Sequence, residues 1–228
     1  MAKRHFFVTG TDTDAGKTCV STGLLVKANQ QGLRTIGLKP VSAGCEDTEQ
    51  GLANDDALKL QAAATQVLSY PEINPFAFEP PIAPHIAAEQ AGRKLSADRI
   101  AAMCRGSMMH PCDFLLIEGA GGWRVPLNAR ETFADIPRLL NMPVILVVGM
   151  KLGCINHALL TAEAIVRDGC QLVGWVANTI DPHMSCFDEN LATLTAKFNA
   201  PLLGVVPHLS DVTPEGVAEH LDIKALLD

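Results

Sequence analysis

Short apolar runs that end at turn residues recur along the chain, and segments with helical spacing lie between them. The runs have the length and aliphatic character of buried strands. They occupy residues 5–9, 35–39, 114–118, 144–148, 172–177 and 202–206. Alternation of strands with helices predicts an α/β fold, in which a mostly parallel sheet with right-handed crossovers carries helices on both faces.

Helical spacing is clearest at 154–168, where apolar residues recur every three or four positions and Gly169 is placed to end the helix. The segment 48–112 differs from the rest of the chain. It contains two helical patterns separated by the proline-rich stretch 70–85. We interpret it as an insertion beside the sheet, within a single domain that spans residues 1–228.

Composition narrows the function classes. The chain has 228 residues, of which 48% are hydrophobic and 5% aromatic, as expected for an aliphatic sheet covered on both faces. Its net charge of −7 argues against nucleic acid or an anionic membrane as a partner bound by bulk charge. The longest apolar stretch, 142–150, is far shorter than the roughly 20 residues of a membrane span.

The cysteines and the amino end bear on the compartment. Seven cysteines are scattered without a C-x-x-C pair, which indicates reduced thiols in the cytoplasm. No secretory signal pattern follows Lys3 and Arg4. Cys104, His110 and Cys112 form the best candidate metal set, but they lack a fourth ligand at the spacing of a zinc site.

A phosphate-binding loop follows the first apolar run. Residues 10–18 read Gly-Thr-Asp-Thr-Asp-Ala-Gly-Lys-Thr and lead into a helical pattern, which is the context of a Walker A motif in a P-loop NTPase-like domain. Lys17 would reach the phosphates of a nucleoside triphosphate and the Thr18 hydroxyl would bind Mg²⁺. Five residues instead of four separate the two glycines, so Thr11 stands at the first glycine position. The alternative interpretation is an ordinary glycine turn.

Two carboxylates are candidates for holding that metal. Glu118 closes the run 114–118, at the edge of a parallel sheet where ligands bind, and the glycine turn 119–122 follows. It could instead be an acid that faces solvent. Asp55 and Asp56 begin a helical pattern, and the residues alone favour one of them as a helix cap.

Lys39 lies before Pro40 at the end of the second run, and would therefore project over the same sheet edge. A second lysine near phosphates suggests the handling of anionic oxygens beyond binding. A solvated lysine is the alternative.

Together these segments resemble the dethiobiotin synthetases, and the resemblance covers nearly the whole chain. The motifs that carry it are 10–18, Lys39-Pro-Val, Asn54-Asp-Asp, Glu118-Gly-Ala-Gly-Gly-Trp, Lys151-Leu-Gly-Cys-Ile-Asn-His and Gly174-Trp-Val-Ala-Asn. The resemblance implies an ATP- and Mg²⁺-dependent ligase of biotin biosynthesis that closes a ureido ring. In that reaction 7,8-diaminononanoate takes up CO₂ as a carbamate, the carbamate attacks the γ-phosphoryl group, and the second amine displaces phosphate from the mixed anhydride.

The resemblance also implies residue roles. The implied catalytic residues are Thr13, Lys17 and Lys39. The implied nucleotide contacts are Asp14, Ala15, Gly16, Lys17, Thr18, Cys19, Asp56, Glu118, Gly119, Gly121, Asn178, Pro207, His208, Leu209 and Glu215. The implied substrate contacts are Thr13, Lys39, Ser42, Gly121 and Asn156. The implied metal ligands are Thr18, Asp56 and Glu118.

Three positions qualify this transfer. The family has a hydroxyl two residues after Lys-Pro-Val, where this chain has Ala43, and Ser42 stands one position earlier. The spacing to Glu215 is one residue longer than in the family. Asn156 is implied to reach the substrate of a partner subunit across a homodimer interface, and it could also cap its own helix.

Two other classes compete with the ligase. Switch ATPases of the partition or septum-positioning type share the sheet and a deviant loop. They resemble each other in a signature lysine early in that loop, and this chain has Asp12 at the same position. A non-catalytic nucleotide-binding module would share the fold alone. The combination of Lys39, Asp56 and Glu118 favours an active site.

Overall fold

A computed structural model describes residues 4–49 and 51–227. The strands are β1 Arg4–Gly10, β2 Thr35–Leu38, β3 Val41–Ser42, β4 Glu46–Thr48, β5 Gly51–Ala53, β6 Phe76–Ala77, β7 Phe114–Gly122, β8 Val144–Met150, β9 Leu172–Thr179 and β10 Leu202–Val206. The helices are α1 Lys17–Gln30, α2 Asp55–Ala63, α3 Tyr70–Ile73, α4 Pro84–Gln90, α5 Ala97–Ser107, α6 Asp135–Leu140, α7 Cys154–Arg167, α8 Phe187–Lys197, α9 Pro214–Glu219 and α10 Lys224–Leu227.

Six parallel strands form the central sheet in the order β10-β9-β8-β1-β7-β2. Each corresponds to one of the six predicted runs, so the predicted α/β fold with a parallel sheet is confirmed. The chain leaves β1 towards β2 on one side, and later leaves β7 towards β8 on the other. This reversal opens a crevice at the carboxyl ends of the central strands, where open sheets bind ligands.

Alternate residues of the strands supply two different cores. Phe7 packs with Leu115 and Ile117 on one face, whereas Phe6 and Val8 pack on the other with α1. These side chains are at most 5% exposed. Burial on both faces explains why the strands read as continuous aliphatic runs and not as an alternating pattern.

The ends of several elements differ from the sequence predictions. β7 continues past Glu118 to Gly122, because Gly122 pairs with Gly10 of β1 beyond an irregularity in the register, even though Gly121 has a φ of 61°. The predicted turn at 119–122 is therefore wrong. β2 ends at Leu38, so Lys39 leaves the sheet before Pro40.

Helix caps also differ from expectation. Asn54, not an aspartate, caps α2 by accepting a hydrogen bond from the amide of Ala57 at 3.4 Å. Gly153 in a left-handed conformation, φ 93°, precedes α7. The cap interpretations of Asp56 and Asn156 are thus wrong, and both side chains remain available for other contacts.

The segment between β2 and β7 contains two small sheets that the pattern did not reveal. β3 pairs in parallel with β6, and β4 pairs antiparallel with β5. The β3 and β6 pair places the proline-rich stretch beside the end of β2, over the crevice. Across residues 4–49 and 51–227, no helix has the length and apolar character that a membrane crossing requires.

Candidate functional site

The loop after β1 turns back over the start of α1. Gly16 has φ 86° and precedes α1, and its φ belongs to the region that favours glycine. A Cβ at Gly16 would lie 2.0 Å from Nδ2 of Asn178, which donates a hydrogen bond to the Ala15 carbonyl at 3.0 Å. Asn178, at the end of β9, therefore holds the loop in a shape that only glycine permits at this position.

The loop lysine, Lys17, is enclosed by the backbone of the same loop. Lys17 is 6% exposed and its Nζ donates to the Asp12 carbonyl at 2.9 Å. Burial, together with the nearby charge of Lys39, lowers the pKa of Lys17 from 10.5 to about 8. Phosphate oxygens would supply the negative charge that this buried ammonium lacks, as in other phosphate loops.

Lys39 and the two candidate carboxylates converge on one point. Nζ of Lys39 lies 2.6 Å from Oε1 of Glu118 and 3.0 Å from Oδ2 of Asp56, and it donates to the Gly119 carbonyl at 3.2 Å. The Thr18 hydroxyl donates to the same Glu118 oxygen at 2.8 Å. Lys39 is 4% exposed and Glu118 is fully buried, so the interpretations of a solvated lysine and a solvent-facing acid are wrong.

Electrostatics couples these groups. Burial alone would lower the pKa of Lys39, but the carboxylates of Glu118 and Asp56 outweigh it and the pKa is raised. Burial would raise the pKa of Asp56, and the contact with Lys39 reverses that effect and lowers it. Both shifts favour the charged forms of Lys39 and Asp56, which face each other at 3.0 Å.

The donor set fits a magnesium ion. Oε2 of Glu118 is buried without a hydrogen-bond partner, and such an orphaned oxygen is costly unless a cation or water satisfies it. Thr18 contacts the other oxygen of this carboxylate, and Asp56 is joined to it through Lys39. Among the described residues no group of three His, Cys, Asp or Glu side chains could hold a metal. Two carboxylates and a hydroxyl suit Mg²⁺, which takes its remaining ligands from phosphates and water.

Two neighbouring cavities contain most of the predicted residues. One of about 690 Å³ is lined by Thr13, Asp14, Gly16, Lys17, Thr18, Cys19, Lys39, Ser42, Ala43, Asn54, Asp56, Pro81, Ile82, Ala83, Pro84, Ala120, Gly121 and Val125. A second of about 250 Å³ is lined by Cys19, Asn178, Thr179, Ile180, Val206, Pro207, His208, Leu209 and Val212. Cys19 belongs to both, so the cavities together form a path from the loop to the segment after β10.

Two predicted contacts are exposed on helices outside these cavities, and a third is buried at the wall of the larger one. Asn156 is exposed in the first turn of α7, and Glu215 is exposed in the first turn of α9. Neither lines these two cavities. The Ser42 hydroxyl is buried and donates to the Asn74 side chain at 2.8 Å, at the wall of the larger cavity.

Sequence reasoning missed an apolar wall of the larger cavity. Residues 81–84 contribute two prolines, an isoleucine and an alanine, and Val125 also lines the cavity. A Cβ at Gly121, which has φ 61°, would lie 2.7 Å from Val125. The proline-rich composition was the available signal, but only the pairing of β3 with β6 places that stretch over the crevice.

Comparisons with known proteins agree with this geometry. A family described as an AAA domain matches residues 4–216. The chain is 60% identical to the ATP-dependent dethiobiotin synthetase of Cellvibrio japonicus, with all of both chains covered. It is 49% identical to that of Yersinia pestis, covering 100% of this chain and 94% of the relative.

Solved structures share the fold at low sequence identity. The septum site-determining protein MinD of Pyrococcus horikoshii, complexed with Mg-ADP, superposes with a TM-score of 0.55 at 15% identity, covering 97% of this chain and 88% of that one. The signal recognition particle receptor FtsY of Elizabethkingia anophelis, complexed with GDP, also gives 0.55, at 12% identity, and this chain spans 62% of its length. These similarities support the P-loop NTPase-like fold alone.

Proposed function

This chain belongs to the ATP-dependent dethiobiotin synthetase family, and we propose that the crevice described above is where it performs that family's ring closure. It is accordingly an ATP-dependent ligase. Full-length identities of 49–60% favour this function over a septum-positioning switch, with which the chain shares only its fold.

The nucleotide lies along the path between the two cavities in this proposal. The backbone of residues 13–19 and the Lys17 ammonium would hold the phosphates at the amino end of α1. Asn178 and residues 207–209 would flank the base in the smaller cavity, which they line. Glu215 would approach it only if the loop after β10 moved, because it lies outside that cavity.

Thr18, Asp56 and Glu118 would hold the magnesium ion. When bound, the ion supplies positive charge to the transferring phosphoryl group. The buried, unpartnered oxygen of Glu118 supports this assignment. Lys39 shares both carboxylates, so its ammonium lies beside the metal position and close to any anion that faces the γ-phosphate.

The reaction joins three substrates in sequence. One amine of 7,8-diaminononanoate attacks CO₂, forms an N–C bond and loses a proton to give a carbamate. A carbamate oxygen then attacks the γ-phosphorus and ADP leaves. The second amine attacks the carbamate carbon and phosphate leaves with the bridging oxygen, which closes the cyclic urea and releases a proton.

Positioning and charge stabilisation are what the protein must supply for these steps. Lys39 and Lys17 provide two cations for the carbamate and phosphoryl oxygens. Thr13 and Gly121 lie side by side in the lining of the larger cavity, and residues 81–84 offer an apolar surface for the aliphatic chain of the diamine. CO₂ and the diamine are thus held against the γ-phosphate.

A homodimer is part of the proposal. Asn156 is exposed in the first turn of α7, and Leu152, in the turn just before that helix, is 94% exposed. An isologous interface there would cover this leucine and place Asn156 near the partner's substrate. Sedimentation that finds a fully active monomer would contradict this role. A cytoplasmic location is proposed because the seven cysteines are scattered along the sequence without a C-x-x-C pair.

The convergence of Lys39, Asp56 and Glu118 beside the phosphate loop is the observation that carries the proposal. It is tested by measuring ADP release while each small molecule is omitted in turn. Release that requires ATP, Mg²⁺, bicarbonate and diamine together supports the ligase. Hydrolysis that ignores the diamine, or that DNA or vesicles stimulate, would contradict it.

A further inference from the structure

The segment 70–78 lies along the residues that follow β2 and holds them in place. The Lys39 amide donates to the Ile73 carbonyl at 3.1 Å, and the Phe76 amide donates to the Pro40 carbonyl at 3.1 Å. The Phe78 amide donates to the Ser42 carbonyl at 3.0 Å. The backbone that carries two predicted substrate contacts is therefore shaped by a segment that had no assigned role.

Asn74 is the side chain at the centre of this contact. It is 3% exposed, follows α3, and uses both ends of its amide. Nδ2 donates to the Lys39 carbonyl, while Oδ1 accepts from the Ser42 hydroxyl at 2.8 Å and from the Tyr70 hydroxyl at 3.0 Å. Because a carbonyl only accepts, the Lys39 contact fixes which end of the amide points where.

This orientation determines what the Ser42 hydroxyl can offer. Its one proton is donated to Asn74, so the contact with Sγ of Cys45 at 3.1 Å must be donated by the thiol. A serine oxygen accepts up to two hydrogen bonds, and one place remains. Ser42 also lines the larger cavity. Towards a ligand it is an acceptor and not a donor.

We propose that Asn74 is a positioning residue for the ring-closing reaction, which holds Ser42 as a hydrogen-bond acceptor for a substrate amine and Lys39 at its place beside the carboxylates. The inference rests on the proposed function and deepens it. Amines carry N–H donors, whereas carbamate and phosphate oxygens only accept. Ser42 held in this way favours the diamine over an analogue with an oxygen acceptor in place of one amine.

The same network reaches the metal side of the site. The Tyr70 hydroxyl, which donates to Asn74, accepts a hydrogen bond from the backbone N–H of Asn54 at 2.7 Å. Asn54 caps α2, whose first turn carries Asp56. One chain of hydrogen bonds thus connects the acceptor for the amine with the helix that presents a carboxylate to Lys39.

The experiment compares Asn74→Ala, Asn74→Asp and the wild type. For each, we measure KM for the diamine and for ATP, the melting temperature, and the inhibition constants of two analogues in which each amine in turn is replaced by a carbonyl oxygen. In the wild type we expect the KM for the diamine to lie below the inhibition constants of the analogues. In Asn74→Ala, KM for the diamine rises about tenfold with little change for ATP, since small misplacements near reacting groups cost up to about a hundredfold.

Discrimination against one of the two analogues is the sharper readout. In Asn74→Ala the Ser42 hydroxyl can rotate and donate, so the preference for the diamine over that analogue falls about tenfold, because a site that leaves a polar group unpaired loses affinity. Asn74→Asp keeps an acceptor for both hydroxyls. It retains the preference even if it melts at a lower temperature.

Asn29→Ala is the matched control. Asn29 also uses both ends of its amide, accepting from Thr35 at 2.7 Å and donating to the Ala63 carbonyl at 2.8 Å, at the other end of β2. It should lower the melting temperature without changing diamine KM or discrimination. If Asn74→Ala does not fold, Ser42→Ala serves instead, because loss of the acceptor narrows the same preference.

The outcomes separate the two claims. If the wild type releases no ADP in response to diamine, the proposed function fails and this inference fails with it. If the wild type turns over as expected but the preference is unchanged in Asn74→Ala, or in Ser42→Ala where that variant is needed, the role of Asn74 alone is refuted.

Discussion

Replacement of Lys39 by methionine tests the ion pair at the centre of the site. Methionine fills a similar volume but removes the ammonium from Glu118, which is fully buried, and from Asp56. Removing one partner of a buried pair costs about 3–5 kcal/mol, because the other charge stays buried without compensation. The partly exposed Asp56, with 39% of its side chain accessible, contributes little to that figure.

Urea denaturation in the presence of a chelator measures the lost free energy of unfolding directly, and thermal melting gives a second readout. For a chain of this size about 1 kcal/mol changes the melting temperature by roughly 2–4 °C, so Lys39→Met should melt roughly 6–20 °C lower. Lys59→Met is the control, since Lys59 pairs with Asp55 on an exposed helix surface where such pairs contribute about 0.3–0.5 kcal/mol.

A double variant identifies the cause of the loss. Lys39→Met combined with Glu118→Gln removes the uncompensated charge, so its loss should be smaller than that of Lys39→Met alone. The reasoning is refuted if Lys39→Met lowers the free energy of unfolding no more than Lys59→Met does. It is also refuted if Glu118→Gln lowers that free energy in the double variant by as much as it does alone.

Three further predictions concern nucleotide and substrate. Lys17 has a pKa of about 8 and must be charged to bind phosphate, so affinity for a non-hydrolysable ATP analogue should fall by up to about tenfold per pH unit above pH 8. Lys17→Met should abolish this pH dependence, and binding titrations that show the same slope in both proteins would contradict the prediction. Gly16→Ala should weaken binding of the same ATP analogue, because the alanine Cβ would overlap Asn178. Unchanged affinity by calorimetry would refute the loop geometry. Ser42→Ala should raise diamine KM less than Lys39→Ala does, and the reverse order would overturn our ranking.

Much of the fold follows from local pattern. Strands buried on both faces must be aliphatic along their whole length, so all six runs of the sheet were visible in the sequence. Their ends were less visible, because β7 continues through glycines that usually indicate a turn, and only the pairing of Gly122 with Gly10 carries the strand that far.

The candidate site divides in the same way. The phosphate loop and Lys39 lie directly after strands, and Glu118 ends an apolar run within β7. The carboxyl ends of parallel strands meet at one edge of the sheet, so these residues could be expected to converge. Asn74 lies 35 residues beyond Lys39 in the sequence, and its role depends on the pairing of β3 with β6. No local periodicity predicts such a contact.

The most direct test of the account follows the oxygen of CO₂ through one turnover. We predict that, with ¹⁸O-labelled bicarbonate, ATP and the diamine, each released phosphate carries a single ¹⁸O, because the carbamate oxygen that attacks the γ-phosphorus leaves with the phosphate. Phosphate that carries no label would show that water attacks the nucleotide, and would contradict the proposed reaction at this site.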